Sequence, residues 1–340
     1  MNTCKRIVLA SRPSGAATPD NFRLEEVPLP ACGPGQVLVR NRYLSLDPYM
    51  RGRMNDAKSY ATPQPLGDTM IGGTAGEVVE SRDPRYAAGD QVIGMLGWCE
   101  AGVCDGAALQ KVDTTHVPLS AYLGVVGMPG VTAWYGLNRI IAPKAGETVV
   151  VSAASGAVGS VVGQLARRLG CRAVGIAGGE RKCAFVAGEL GFDACIDYQA
   201  ASRDGVLDVR EFASRLEAAA PGGIDGYFDN VGGRILDGVL ARMNAFGRIA
   251  VCGMISGYDG KALPMQSPQL ILLSRLRLEG FIVAEHMEVW RQALAELGEG
   301  VASGRIKYRE TIAHGLASAP QAFIGLLKGR NFGKQLVALA

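Results

Sequence analysis

The period of apolar and polar positions changes along this chain of 340 residues. From Gly127 to about Ile306, short apolar runs alternate with apolar stripes at helical spacing, the pattern of repeated β-α units. Val149-Val150-Val151-Ser152 reads as a buried strand. Val158, Val161, Val162, Leu165, Ala166 and Leu169 then share one face of a helix predicted from Ser160 to Leu169. Arg167 and Arg168 suit the last turn of that helix, and Gly170 its stop. A second unit follows, with a strand over Ala173–Ile176 and a helix from about Arg181 to Leu190. Further strands are predicted at Cys195–Asp197, Ile224–Asp229, Arg248–Cys252 and Leu276–Phe281, and helices at Val209–Ala219, Arg234–Met243 and Glu288–Val301. Before Gly127 short strands alternate with turns: Phe22–Val27, Gln36–Ser45, Gly76–Ser81 and Gln91–Leu96, punctuated by Gly33-Pro34-Gly35 and Ala88-Gly89-Asp90. The tail is mixed, with a strand at Tyr308–Ile312, a helix at Pro320–Lys328 and a strand at Lys334–Leu339. The expected fold class is therefore α/β, with a doubly wound domain at 127–306 inserted into a β-rich domain made of 1–126 and 307–340.

The turn after the first buried strand carries the candidate chemistry. Ala154-Ser155-Gly156-Ala157-Val158-Gly159 is the dinucleotide pattern G-x-G-x-x-G with alanine in the first place. Gly156 would let the backbone approach a pyrophosphate, and Gly159 would let the helix pack closely on its strand. The helix N-terminus supplies N–H groups and partial positive charge. About twenty residues on, NAD-binding proteins place Asp or Glu against the ribose 2′-hydroxyl. Here the strand Ala173–Ile176 runs into Ala177-Gly178-Gly179, and Glu180 is followed at once by Arg181 and Lys182. That arrangement favours a 2′-phosphate, and so NADPH over NADH. Lys182 has a second reading, as a solvated lysine in the first turn of a surface helix. The active site is expected in the cleft between the two domains, at the carboxyl ends of the parallel strands.

Composition narrows the field. The 35 basic and 32 acidic residues are interspersed, the net charge is +3, and no basic block points to nucleic acid. Thr148 to Ala166 is uncharged and long enough to span a bilayer, but its glycines, serines and β-branched start read as a buried β-α unit. No transmembrane segment or signal peptide is expected, and no membrane partner. The cysteines Cys4, Cys32, Cys99, Cys104, Cys171, Cys183, Cys195 and Cys252 form no C-x-x-C pair and read as reduced thiols of a cytoplasmic protein. Cys99 and Cys104 are the closest pair, and a metal or disulfide role there is only a minor alternative to reduced thiols.

Several segments carry a resemblance: Leu46-Asp47-Pro48-Tyr49-Met50-Arg51-Gly52-Arg53-Met54, Gly127-Met128-Pro129-Gly130-Val131-Thr132-Ala133, Ala153 to Gly163, Asp229-Asn230-Val231-Gly232-Gly233, Cys252 to Tyr258, Glu279-Gly280-Phe281-Ile282-Val283, and Asn331-Phe332-Gly333-Lys334. In order and spacing the chain resembles the medium-chain dehydrogenase/reductase superfamily. Its branch is the zinc-independent one of prostaglandin reductases, alkenal double-bond reductases and curcumin reductases. The resemblance implies a GroES-like β-rich catalytic domain beside a Rossmann domain, with NADPH as cofactor. It implies that Gly156, Ala157, Val158, Gly159 and Ser160 meet the pyrophosphate, and that Lys182 and Tyr198 hold the 2′-phosphate. Asn230, then Cys252, Gly253, Met254, Ile255, Ser256 and Tyr258, then Phe281, Ile282 and Val283, and finally Asn331 would surround the nicotinamide half. Tyr49 and Tyr258 would face a small electrophilic substrate, an enone or enal. The resemblance also implies a homodimer, paired through the strand near Leu276–Phe281.

Zinc-dependent members use a Cys in a first-domain loop and a Gly-His-Glu further on. The matching stretches here are Leu44-Ser45-Leu46-Asp47 and Ile71-Gly72-Gly73-Thr74, and His116, His286 and His314 are far apart in the chain. No metal site is expected. Hydride from NADPH needs no metal when the acceptor is a C=C bond conjugated to a carbonyl. The protein then supplies orientation, a donor near the developing enolate and a proton for the α-carbon. Tyr258 is the candidate donor; alternatively it only packs on the cofactor and water brings the proton. Tyr49 either shapes the pocket or takes part, and Arg51 and Arg53 read as surface or interdomain charges. Two other functions compete: a zinc-free quinone reductase, and a nucleotide-binding sensor or structural protein without catalysis. The irregular segments 55–66, 98–105 and 259–269 would set the pocket's shape.

Overall fold

The computed structural model describes residues 3–260 and 262–339. Met1, Asn2 and Ala340, at the ends of the expected β-rich domain, and Lys261, in the irregular stretch 259–269, lie outside the described residues. The chain divides into two compact units. One is Val125–Arg309; the other combines the described residues up to Gly124 with those from Glu310 onward.

The first unit opens with an antiparallel hairpin of β1 (Thr3–Leu9) and β2 (Phe22–Pro28). It continues through β3 (Gln36–Ser45), the short helix α1 (Tyr49–Arg53), β4 (Thr74–Ser81), β5 (Gln91–Gly94), β6 (Ala101–Asp105) and β7 (Gln110–Lys111). β3 is the hub. Side chains alternate across a strand, so Val37 and Val39 join one apolar cluster with Val78, Val92 and Leu109, while Leu38 joins another with Cys4, Cys32 and Ala101. β6 is built from residues with weak strand preference, Ala-Gly-Val-Cys-Asp. It forms because β3 offers it an antiparallel register, Gln36 opposite Asp105 through Arg40 opposite Ala101. That pairing is tertiary, which is why the segment reads as irregular in the sequence.

The second unit begins with α2 (Met128–Tyr135) and then winds β8 (Thr148–Ser152), α3 (Gly159–Arg168), β9 (Arg172–Ala177), α4 (Glu180–Ala184), β10 (Ala194–Asp197), a small hairpin of β11 (Ser202–Arg203) and β12 (Val206–Leu207), α5 (Val209–Ala219), β13 (Ile224–Asp229), α6 (Gly233–Leu240), β14 (Met243–Val251), α7 (Gln269–Leu273), β15 (Arg277–Gly280) and α8 (Trp290–Ala302). The six parallel strands lie in the order β10-β9-β8-β13-β14-β15. This is the 3-2-1-4-5-6 order of dinucleotide-binding sheets. Every residue of β8 is buried, as expected for a central strand of a parallel sheet covered on both faces. The expected helix over Arg234–Met243 ends at Leu240, and Met243 instead starts β14. There it pairs with Ile224 and is buried, an apolar position the sheet claims from the helix.

The chain then returns to the first unit as β16 (Glu310–His314), α9 (Ala319–Leu327) and β17 (Lys334–Ala338). β17 pairs antiparallel with the far end of β3, and the sheet runs β16-β17-β3-β4-β5-β7 with β6 also on β3. Trp98, Phe22 and Phe323 pack ring against ring at centroid distances of 5.3, 5.7 and 6.2 Å, joining the hairpin and the returning helix in one core.

Candidate active site

In a doubly wound sheet ligands bind where the strand order reverses, outside the carboxyl ends. Here the reversal lies between β8 and β13. The predicted cofactor residues other than Asn331 follow the carboxyl ends of this one sheet: Gly156–Ser160 after β8, Lys182 after β9, Tyr198 after β10, Asn230 after β13, Cys252–Tyr258 after β14 and Phe281–Val283 after β15. Residues scattered over more than a hundred positions are gathered on one edge by the topology. Tyr49 and Asn331 belong to the other unit.

The turn after β8 is tightly built. Ala153 takes a left-handed φ of 49°, and Gly156 N–H donates to Ala153 O at 2.9 Å. A Cβ on Gly159 would sit 2.5 Å from Ala153 O, so only glycine lets α3 start this close to its strand. Ser160 N–H is already bonded to Gly156 O at 3.1 Å, so it closes the turn. The first turn of a helix has N–H groups without intrahelical acceptors, and this one opens at the switch point. The cradle fits a pyrophosphate.

Asp229 ties the two central strand ends together. Its Oδ1 accepts from Ser152 Oγ (3.1 Å), Tyr227 Oη (2.8 Å), Val231 N–H (3.0 Å) and Gly232 N–H (2.9 Å). Oδ2 is buried and meets no partner among the described residues. Burial holds the Asp229 carboxyl above the usual carboxylate range, against the pull of those donors. Asn230 completes the clasp, its N–H donating to Ser152 Oγ at 2.8 Å and its Nδ2 to Ser152 O at 2.7 Å. Its amide is thus committed to the backbone of β8. Neither Asp229 nor Ser152 was singled out from the sequence, and the signal that could have found them is polarity at the end of otherwise apolar strands.

At the outer strands, Tyr198 lies across the end of β9: a Cβ on Gly178 would be 3.0 Å from its Oη. Asp197 Oδ1 accepts from Gly179 N–H at 2.8 Å and from Gln199 N–H at 2.9 Å. A carboxylate therefore does reach this turn, from the third strand rather than the second, and it is spent on backbone donors. Lys182 is half-buried, and burial lowers its ammonium pKa. After β14 the loop folds back on β13: Cys252 N–H donates to Asp229 O, and Ser256 Oγ to Val231 O at 2.6 Å. Burial pushes the Cys252 thiol up to about 12. A Cβ on Gly253 would lie 3.4 Å from Tyr258 Oη, so the hydroxyl sits over the glycine at the mouth of β14. The Phe281 ring packs on Tyr135 and Phe228, at 5.3 and 6.2 Å between centroids, so it belongs to the apolar support beneath the edge.

In the first unit the loop after β3 is fastened to β17. Lys334 Nζ donates to Asp47 Oδ1 at 2.5 Å and to Leu46 O at 2.9 Å, and Ser45 Oγ donates to Asp47 Oδ2. Both charges are buried. Tyr49 stands two positions on, and burial, with Asp47 close by, raises its pKa above the usual tyrosine value. Of the two readings of Arg51, surface or interdomain charge, burial overturns the first. Arg51 is 1% exposed and binds Asn55 Oδ1 at 2.7 Å and Gly15 O at 2.5 Å, so it holds α1 in place. Asn331 Nδ2 donates to Gly333 O at 2.7 Å. Among the described residues no group of three or more His, Cys, Asp or Glu is placed to hold a metal ion, and no helix is long and apolar enough to cross a membrane. Cys99 and Cys104, the cysteines closest in the chain, are free thiols, Cys99 buried and Cys104 half-buried.

Residues 5–112 match a family described as the N-terminal domain of oxidoreductase, and residues 157–299 one described as zinc-binding dehydrogenase. The chain is similar to the NADPH-dependent curcumin reductase of Escherichia coli, 48% identical over 99% of this chain and 97% of that one. It is 43% identical to prostaglandin reductase 1 of Rattus norvegicus over 95% of each. The crystal structure of CurA from Vibrio vulnificus in complex with NADPH superposes with a TM-score of 0.92 at 44% identity over 99% of both chains. The sheet order, the glycine turn and these similarities agree: the chain belongs to the medium-chain dehydrogenase/reductase superfamily, in the zinc-independent branch of the curcumin and prostaglandin reductases.

Proposed function

We propose that this protein is an NADPH-dependent reductase of the C=C bond in α,β-unsaturated aldehydes and ketones. The observation that carries the reading is the second-unit edge. A pyrophosphate turn at Gly156–Ser160 stands beside a β9 end whose one nearby carboxylate, Asp197, is spent on the Gly179 and Gln199 N–H groups, where Tyr198 lies over Gly178 and Lys182 follows. A cationic side chain there suits a 2′-phosphate. The similarity to the CurA structure in complex with NADPH supports the same assignment.

When bound, NADPH supplies hydride to an electron-poor carbon, and the difficult step is the cofactor's own. The chain's residues then have defined tasks. Gly156 to Ser160 would seat the pyrophosphate, and Lys182 and Tyr198 the 2′-phosphate. The loop Cys252–Tyr258, held on β13 by Ser256 Oγ, would position the nicotinamide half and aim the Tyr258 hydroxyl at the carbonyl oxygen as charge gathers there. Tyr49 would face the substrate, shaping the pocket or offering a second O–H donor.

The deciding experiment measures NADPH oxidation against alkenals, cyclic enones, curcumin-like dienones and quinones, with product analysis for C=C against C=O reduction. Saturated carbonyl products are expected. Tyr258→Phe should lower kcat roughly a hundred-fold or more if the hydroxyl acts as the acid. Turnover of quinones alone would replace this reading with the quinone reductase one. NADPH binding without any acceptor would leave a sensor. We also place a homodimer contact at β15, an edge strand of its sheet beside the exposed Leu272 and Leu273. Light scattering should give twice the chain mass, and the chain mass for Leu272→Asp.

A further inference from the structure

Cys183 and Cys195, twelve positions apart in the chain, are brought together by the second β-α unit. Cys183 lies on α4 directly after Lys182, and Cys195 lies on β10. The Cys195 thiol donates to Cys183 Sγ, with the sulfurs 3.0 Å apart. Both are half-buried and line an open depression of about 610 Å³ with Glu180, Asp197, Arg215 and Ala219. They are therefore adjacent to each other and open to small solutes. The other thiols differ: Cys4, Cys32, Cys99 and Cys171 are buried, and Cys104 and Cys252 make no thiol–thiol hydrogen bond among the described residues. The hydrogen bond from Cys195 lowers the Cys183 pKa, while that same bond and burial raise its partner's. In the remaining six, burial is the largest influence and raises the pKa.

We propose that Cys183 and Cys195 form a peroxide-oxidisable dithiol whose disulfide links α4 to β10 and weakens NADPH binding at the 2′-phosphate end. The thiolate is the reactive form. Cys183 sulfur attacks one oxygen of a hydroperoxide: an S–O bond forms, the O–O bond breaks, and the alcohol or water leaves with a proton. Cys183 is now a sulfenic acid, oxidised by two electrons that reduced the peroxide. Cys195 sulfur attacks Cys183 sulfur, an S–S bond forms and the S–O bond breaks. The hydroxide leaves with the Cys195 proton as water. A disulfide needs sulfurs about 2.05 Å apart and a fixed dihedral, so the two sulfurs close by about 1 Å and the new bond pulls α4 toward β10. Lys182 moves with it. This consequence for cofactor affinity rests on Lys182 holding the 2′-phosphate.

The two parts separate in one experiment. Cys183 and Cys195 fall in a single tryptic peptide, Cys183–Arg203, with no Lys or Arg between its ends before Arg203. The full chain is treated with equimolar hydrogen peroxide, alkylated without reduction, digested and weighed. The expected peptide carries no alkyl group and lacks two hydrogens, reverting with dithiothreitol. In Cys195→Ser, Cys183 should be trapped as a sulfenic acid by a 1,3-dione. A doubly alkylated peptide, or oxidation of Cys195 in Cys183→Ser as fast as in the parent, overturns the dithiol. Binding titrations on the oxidised chain should show NADPH weakened roughly ten-fold with NADH unchanged. A disulfide that leaves NADPH affinity intact overturns the switch. Failure of Lys182→Ala to discriminate the two cofactors overturns the 2′-phosphate assignment while the mass result stands.

Discussion

Lys182 and Asp229 show how differently single residues sit in this site. Lys182 could be named from sequence because it stands where a carboxylate was missing. Lys182→Ala should weaken NADPH by roughly 1.5–3 kcal/mol, the worth of a charge-assisted bond, and NADH far less. Isothermal titration with both cofactors measures it, and equal losses would sink the assignment. The clasp made by Asp229 could not be read from the sequence, because it exists only when the ends of β8 and β13 lie side by side. Its carboxyl is held above the ordinary carboxylate range. A raised folded pKa means the stabilising, neutral form is fully present below the unfolded value and is lost as pH rises through the folded one. Unfolding free energy should therefore fall with rising pH from about pH 4 upward through this group. Asp229→Asn, neutral throughout, should flatten that part of the profile. Urea titrations of both chains across the range decide it; an unchanged slope in the variant would show that other groups set it.

At the scale of elements, strands with strong β preference and helices with a continuous apolar face could be placed from the sequence. β3, β13 and α5 run over the residues expected, because their patterns are decided locally. β1, β6 and β7 were missed, and so was the start of β14 at Met243. In β6 and β14 the partner strand overrides weak or misleading local preference. The join between the loop after β3 and β17 is another such case: Asp47 and Lys334 lie at opposite ends of the chain and meet in a buried ion pair. Removing one partner from such a pair costs about 3–5 kcal/mol, because the other charge is left buried. Lys334→Met should show that loss in a denaturant midpoint, and Lys334→Met with Asp47→Leu should recover much of it. A single variant as stable as the parent would mean that water reaches Asp47.

Over the whole molecule, cofactor binding and folding are linked. A ligand held only by the folded chain at about a hundred times its Kd adds roughly 2.7 kcal/mol. NADPH should raise the melting temperature by more than equal NADH, and differential scanning fluorimetry at matched concentrations tests it. The ordering would vanish if the 2′-phosphate met no protein charge.

From the sequence alone came the α/β class, the glycine turn, the gap in acidic residues after the second strand and the resemblance to a reductase branch. Each depends on neighbours in the chain or on a spacing, so each is written in one dimension. The tertiary structure alone decided that Asp229 and Asn230 clasp Ser152, that Arg51 is buried, that Lys334 neutralises Asp47 and that Cys183 faces Cys195. Those are contacts between distant segments. Their energies come from burial and from paired groups that no local pattern records.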